Sequence, residues 1–310
     1  PYFFSSIVRM ALSRRYSLLM ANPIEALICG AIAAEVSRTP LIAFSDELFT
    51  EDDLICMPYR RRALMNWAHR RAAFTVITDS IRASVLRQST GLPENHTFYE
   101  LPNSPSGVPK AVDKAIFRDR ISIPPDATIV LMAGHFAPSM GNDWLLNALP
   151  QFPPKTYLVF QITNQGRCTP DVVALCKLAE HHFPVRFLYN PLPYELVDQV
   201  VASCDIGVVF YNSRGPNFEL CGKGSGKLCR YLRLGKPVIV NHQGHLEWVA
   251  RYGAGEITQS PAELAQAIQK IRANYQTYSE KAYQCYQQHF AFEKYYPPIH
   301  NAIHQLIRAN

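Results

Sequence analysis

The chain has 310 residues, 48% of them hydrophobic and 18% charged, which excludes a disordered or collagen-like chain and leaves length for two domains with separate cores. Lys and Arg number 31 against 25 Asp and Glu, a net +6 that suits an anionic small ligand or an acidic membrane surface without calling for nucleic acid, and no aromatic-rich RNA signature accompanies it. No apolar run is long enough to span a bilayer, and eight cysteines scattered without a CxxC pair suit a reducing, cytoplasmic compartment rather than a disulfide framework.

From Tyr2 to Arg15, apolar residues (Phe4, Ile7, Val8, Ala11, Leu12) recur at helical spacing. Tyr16–Ala21 then reads as a strand, Pro23–Val36 as a helix and Pro40–Phe44 as a strand, a βαβ rhythm. Asp46 to Asp53 is an acidic loop just past a strand end, where open α/β sheets place ligand groups; a solvated helix start fits it equally. A helix from Pro58 to Ala72 carries Arg60, Arg61, Arg62, Arg70 and Arg71, a wet face or a peripheral dock for anionic lipid headgroups. Phe74–Thr78 is the next strand, and Asp79-Ser80 can cap a helix from Ile81 to Gln88. Prolines 102, 105, 109, 124 and 125 mark 102–126 as a linker.

Strands follow at Ile129–Ala133, Tyr157–Thr163 and Val185–Tyr189, with helices at Asp143–Leu149, Asp171–His181 and Tyr194–Ser203. Ser260-Pro-Ala-Glu263 opens a helix with Ser as cap and Glu at the third position. An aromatic helical segment from Tyr278 breaks at Pro297-Pro298 and resumes over Ile299–Ile307. His300 and His304 stand four apart, but no carboxylate pattern joins them as a metal site.

The chemistry concentrates between Asp205 and Val240. A strand-like run, Ile206 to Tyr211, leads through a turn-rich loop to Gly222-Lys-Gly-Ser-Gly-Lys227, then a short helix from Leu228, then a strand at Pro237–Val240. Glycines at 222, 224 and 226 allow several N–H groups to converge, and the following helix start adds unpaired donors and a positive dipole end. Such a loop can cradle an anion, with Ser225 adding a hydroxyl and Lys223 or Lys227 a charge. The rival is a P-loop, from which the chain departs with Cys221 at the first glycine and Leu228 at the magnesium-binding hydroxyl. A solvated glycine-rich surface turn stays open as the plain alternative.

The run Ser225-Gly-Lys-Leu-Cys-Arg-Tyr-Leu-Arg-Leu-Gly-Lys-Pro-Val-Ile239 resembles the donor-site signature S-x-K-x-x-E-Y-x-x-x-G-x-P-V-I of GT-B glycosyltransferases, of the retaining, glycogen-synthase-like (family 4) type. The resemblance extends over most of the chain. It implies an α/β fold of two Rossmann-like domains facing a cleft. Residues 1–106 would form the acceptor-side domain, 107–290 the nucleotide-sugar domain, and 291–310 a helix returning to the first. The first helix has no strand before it, so the N-terminal domain is expected to lack its first strands, roughly 60 to 90 residues at about 30 per βαβ step.

The implied chemistry is transfer of a sugar from a nucleoside diphosphate to a saccharide, lipid or other hydroxyl acceptor, with retention and without a metal or other cofactor. Donor contacts carried over are Gly134, His135 and Gly141 in the loop matching G-R-x-x-x-x-K-G, Asn190 and Leu192 beside the base, and Gly222, Gly224, Ser225, Gly226 and Lys227. His135 and Met140 replace that motif's two cations, so charge has to come from Lys223, Lys227 or Arg230. The family's two glutamates eight apart fall at Gly222 and Arg230; Glu219 stands in for the first as a hypothesis, and Arg230 is a catalytic candidate. Asp46 and Glu47 are the acceptor-side candidates. The missing glutamates leave open a non-catalytic relative that binds a nucleotide-sugar or a partner protein, and a hydrolase or epimerase on the same fold.

Overall fold

Short apolar runs alternate with helices, and the runs assemble into two parallel sheets. The computed structural model describes residues 2–13, 16–22, 24–49, 55–108, 114–163, 170–189, 192–212 and 215–309. Packing divides the chain into two units: residues 1–106 with 215–224 and 291–310, and residues 107–214 with 225–290. The segment 215–224, expected in the second domain, packs in the first unit. Among the described residues, no helix is long and apolar enough to cross a membrane.

In the first unit β1 (Leu19–Ala21), β2 (Leu41–Ser45), β3 (Phe74–Ile77) and β4 (Phe98–Glu100) lie side by side in that order, all parallel. Helices α1 (Tyr2–Ser13), α2 (Ile24–Ser37), α3 (Tyr59–Arg71) and α4 (Ser80–Thr90) connect or precede them. Every residue of β3 is buried, as a strand covered on both faces requires. Asp79 caps α4 by accepting from the Arg82 N–H at 2.9 Å, and Gly91 closes it at φ 64°.

The second unit contains α5 (Lys114–Arg120), β5 (Thr128–Gly134), α6 (Asn142–Ala148), β6 (Thr156–Ile162), α7 (Pro170–His182), β7 (Val185–Leu188), α8 (Tyr194–Ser203) and β8 (Ile206–Val209). After the first-unit helix α9 (Pro216–Glu219) it continues with α10 (Gly226–Arg233), β9 (Val238–Val240), α11 (Glu247–Arg251), β10 (Gly255–Ile257), α12 (Pro261–Ala273) and α13 (Tyr275–His289). The spatial order is β10-β9-β8-β5-β6-β7, all parallel. The chain enters at β5, builds outward to β7, then returns to the other side of β5. The reversal falls between β5 and β8, where an open parallel sheet forms a crevice at its carboxyl ends.

Tyr231 on α10 locks that seam. Fully buried, it donates to the Leu131 carbonyl at 2.8 Å and accepts from the Ala133 N–H at 3.0 Å. Gly207 makes room for it, since a Cβ there would stand 2.4 Å from the Tyr231 ring. Gly207→Ala is expected to lower stability by about 3 kcal/mol through overpacking; a denaturant titration with an unchanged midpoint would refute this.

Several expectations change. The linker contains the helix α5, and the three-residue strands β4 and β10 were not anticipated. Pro297 and Pro298 lie inside one helix, α14 (Phe292–Ala309), and the break falls at Phe290–Ala291. Burial of Ile299 and Ala302 with Ile42, Phe74 and Val76 stabilises α14 against the two ladder bonds its prolines cannot make. At α12, Ser260 donates to the Glu263 carboxylate at 3.3 Å rather than accepting from backbone, and that carboxylate accepts from the Gln259 N–H at 2.8 Å.

Candidate functional site

The crevice between β5 and β8 is built by the loops that leave those strands. β5 ends at Gly134, and the chain turns through Pro138–Met140 to Gly141, which precedes α6 at φ 65°. A Cβ on Gly141 would meet the Cβ of Phe210 at 3.1 Å, so a side chain here is opposed by both conformation and space. Past β8, Tyr211 is clasped by Asn241, whose Oδ1 accepts from the Tyr211 N–H at 3.3 Å and whose Nδ2 donates to the Tyr211 carbonyl at 2.6 Å. The Asn212 N–H donates to the Ser139 carbonyl at 2.7 Å, joining the two loops.

Ser225 is the N-cap of α10, accepting from the Leu228 N–H at 3.4 Å and sharing a 2.7 Å hydrogen bond with the Tyr211 hydroxyl. The first N–H groups of α10 have no carbonyl of their own helix to bond. Lys227 Nζ lies 3.4 Å from the Phe210 carbonyl, 3.8 Å from Met132 Sδ and 4.6 Å from the centre of the Tyr211 ring. Met132 belongs to β5 and Phe210 directly follows β8, so this ammonium stands at the topological reversal.

The structure therefore brings Gly134, Gly141, Ser225, Gly226 and Lys227 to one end of the second sheet. His135 is exposed in the same loop, and its carbonyl accepts from Asn142 Nδ2 at 3.3 Å. Leu192 is half-buried just before α8, and Asn190 lies outside the described residues. Arg230 turns to α8, donating to Asp198 at 2.5 Å, and Arg233 donates to the other oxygen of Asp198 at 2.9 Å and to the Gly107 carbonyl at 2.6 Å.

Gly222, Gly224 and Glu219 are held within the first unit. The Lys223 carbonyl accepts from the Asn103 N–H at 3.0 Å, and Lys223 Nζ donates to Glu100 and to Tyr295, each at 3.2 Å. Burial works against the charge of Lys223, but the Tyr295 hydroxyl and the Glu100 carboxylate outweigh it and raise its pKa. Glu219 is exposed at the end of α9.

Asp46 and Glu47 flank a cavity of about 380 Å³ at the carboxyl ends of β1 and β2, which Phe44, Arg61, His69 and Asn217 also line. His69 is 3% exposed, its Nδ1 has no hydrogen-bond partner, and burial pushes its pKa down to about 4, so the imidazole is neutral at pH 7. On α3, Arg61 pairs with Glu25, and Arg71 pairs with Glu35 at 2.7 Å. No group of three or more His, Cys, Asp or Glu that could hold a metal occurs among the described residues, and the exposed His300 and His304 form a pair with Nε2 atoms 3.0 Å apart.

Sequence reasoning missed Tyr211, Asn241 and Asp198, which position the site through contacts 14 to 35 residues apart. No short-range pattern announces such pairs; only the Tyr231 of the R-Y-x-x-x-G stretch belonged to a readable motif.

The fold these elements define is GT-B. No family model and no curated protein matches the chain, but solved structures do. Anabaena HepE in complex with UDP and glucose aligns with a TM-score of 0.74 at 18% identity, over 97% of this chain and 81% of that one. Sucrose-phosphate synthase from Thermosynechococcus elongatus aligns at 0.69 and 16%, over 100% and 78%. WaaG, a glycosyltransferase of lipopolysaccharide biosynthesis, aligns at 0.62 and 13%, over 98% and 94%.

Proposed function

We propose that this protein transfers a sugar from a nucleoside diphosphate to a hydroxyl acceptor, with retention and without a metal. The observation that carries the reading is Lys227 at the β5–β8 reversal, beside the N-cap of α10. A departing diphosphate gains negative charge in the transition state, and preorganised N–H donors with a nearby ammonium stabilise that state more than the ground state. Of Lys223, Lys227 and Arg230, Lys227 stands at that reversal, in the first turn of α10, so it is the cation assigned to the diphosphate. HepE has been crystallised with UDP and with UDP-glucose, which makes a uridine nucleotide the first donor to test. Leu192 and Asn190 are assigned to the base, and the Asp46–Glu47 cavity, with its neutral His69, to an uncharged part of a saccharide or lipid-linked acceptor.

The seven described cysteines form no disulfide, in keeping with a cytoplasmic location. A peripheral membrane contact rests on Arg60, Arg62 and Arg70, with the exposed Ile55 and Tyr59 beside them. Arg230, standing where the family has a glutamate and engaged by Asp198, favours one rival, a nucleotide-sugar binder without turnover. Calorimetric titration with UDP, GDP and ADP, followed by nucleotide release from UDP-glucose with and without a saccharide acceptor, separates them. Acceptor-dependent release is expected; binding without release supports the rival, acceptor-independent release a hydrolase, and failure of all three nucleotides to bind refutes the proposal.

A further inference from the structure

A second cavity, of about 400 Å³, lies in the second unit at the carboxyl ends of β8, β9 and β10. Trp144 forms one wall, and Asn212, Asn241, His242, Thr258 and Gln259 supply polar groups, while no Asp, Glu, Lys or Arg is among the described residues that line it. Its frame is preorganised. Asn241 clasps the backbone of Tyr211, the Asn212 N–H is tied to Ser139, and the Thr258 N–H donates to the Val240 carbonyl at 2.9 Å. Trp144 packs on Phe210 with the rings tilted, centres 4.9 Å apart at 58°.

Thr258 is the telling residue. It is 1% exposed, and its Oγ1 has no hydrogen-bond partner. A buried hydroxyl left unpaired is destabilising, and a ligand group reaching it would remove that cost. The lining also selects the ligand. A phosphate or carboxylate would lose its hydration and meet neither a lysine nor an arginine among the described lining residues, only the His242 imidazole. A neutral polyol loses less, and the side-chain amides of Asn212 and Gln259 can both donate to and accept from neighbouring hydroxyls. An indole face suits the C–H face of a pyranose ring.

We propose that this cavity binds a neutral saccharide, at a site beside the one assigned to the nucleotide. Gly141, which closes the loop after β5, lines this cavity too and is common to both sites. The inference stands whether or not the protein transfers sugar.

Saturation-transfer NMR with maltose and cellobiose, on the whole protein, tests it. At least one should bind saturably with a Kd of about 1 mM, and glucose 6-phosphate should bind more weakly than glucose. Thr258→Val, which keeps the side-chain shape, and Gln259→Ala, an exposed position, should each weaken binding roughly fivefold without changing UDP affinity. Saturating UDP should leave the saccharide bound. No saturable signal up to about 100 mM, a hundredfold above the expected constant, would overturn the proposal. So would displacement by UDP, or wild-type affinity in both variants.

Discussion

Lys227→Met should lower sugar transfer roughly 100-fold, about 2.7 kcal/mol of transition-state stabilisation. Methionine keeps an unbranched apolar stem along Met132 and the Tyr211 ring, so the packing of the lysine stem is largely preserved and the lost quantity is the ammonium. If Lys227 faces the leaving diphosphate, the charge it meets grows as the glycosidic bond breaks. The loss should then fall mainly on kcat, with UDP binding weakened less, because UDP already has its charge in the ground state. Lys227→Arg should recover part of the activity, since a guanidinium can still reach phosphate oxygens. The readout is UDP release from UDP-glucose under acceptor saturation, beside UDP affinity by calorimetry. A methionine variant within about twofold of the parent would remove Lys227 from the chemistry and with it the main support for the transferase reading.

The sequence showed the second sheet more clearly than the site above it. β5 is a run of seven residues, five of them buried, and such a run with a glycine at its end can be read from residue type alone. The helix Tyr194–Ser203 was read to the residue, with Pro193 before it. β4 and β10 escaped because three residues are too few to show a period, and β10 opens on Gly255, whose Cβ would lie 1.9 Å from the Val238 carbonyl. Pro297-Pro298 misled because a local rule was weighed without the burial that opposes it. The glycine loop was legible as a motif but not as a division: Gly222 and Gly224 pack with the first unit, while Ser225 caps α10 in the second. That division is set by Asn103 and Thr78, more than a hundred residues upstream, and no local pattern can report it.

The second large effect concerns Arg82, which holds residues 215–224 in the first unit. It is 2% exposed; its Nη2 donates to the Asp46 carbonyl at 2.6 Å and to Asn217 Oδ1 at 3.1 Å, and its Nη1 to the Leu220 carbonyl at 3.3 Å. Asn217 in turn accepts from the Leu48 N–H at 2.7 Å and donates to the Leu48 carbonyl at 2.8 Å, so one guanidinium joins the loop after β2 to α9. Burial pushes the pKa of Arg82 down, and nearby carboxylates, Asp79 first among them, work against the shift.

Arg82→Met leaves three acceptors short of a charged donor in a dry site, and should cost about 3 kcal/mol, or roughly 6 to 10 °C in the melting of the first unit. The loss should also be local. Amide hydrogen exchange should quicken at residues 46–48 and 215–222 and stay unchanged across β5 and β6, which belong to the other packing unit. Asp46 and Glu47 would lose their support at the same time, so acceptor KM should rise more than donor KM. A melting point within about 2 °C of the parent, with exchange at 46–48 undisturbed, would mean that Asn217 holds the segment without the arginine.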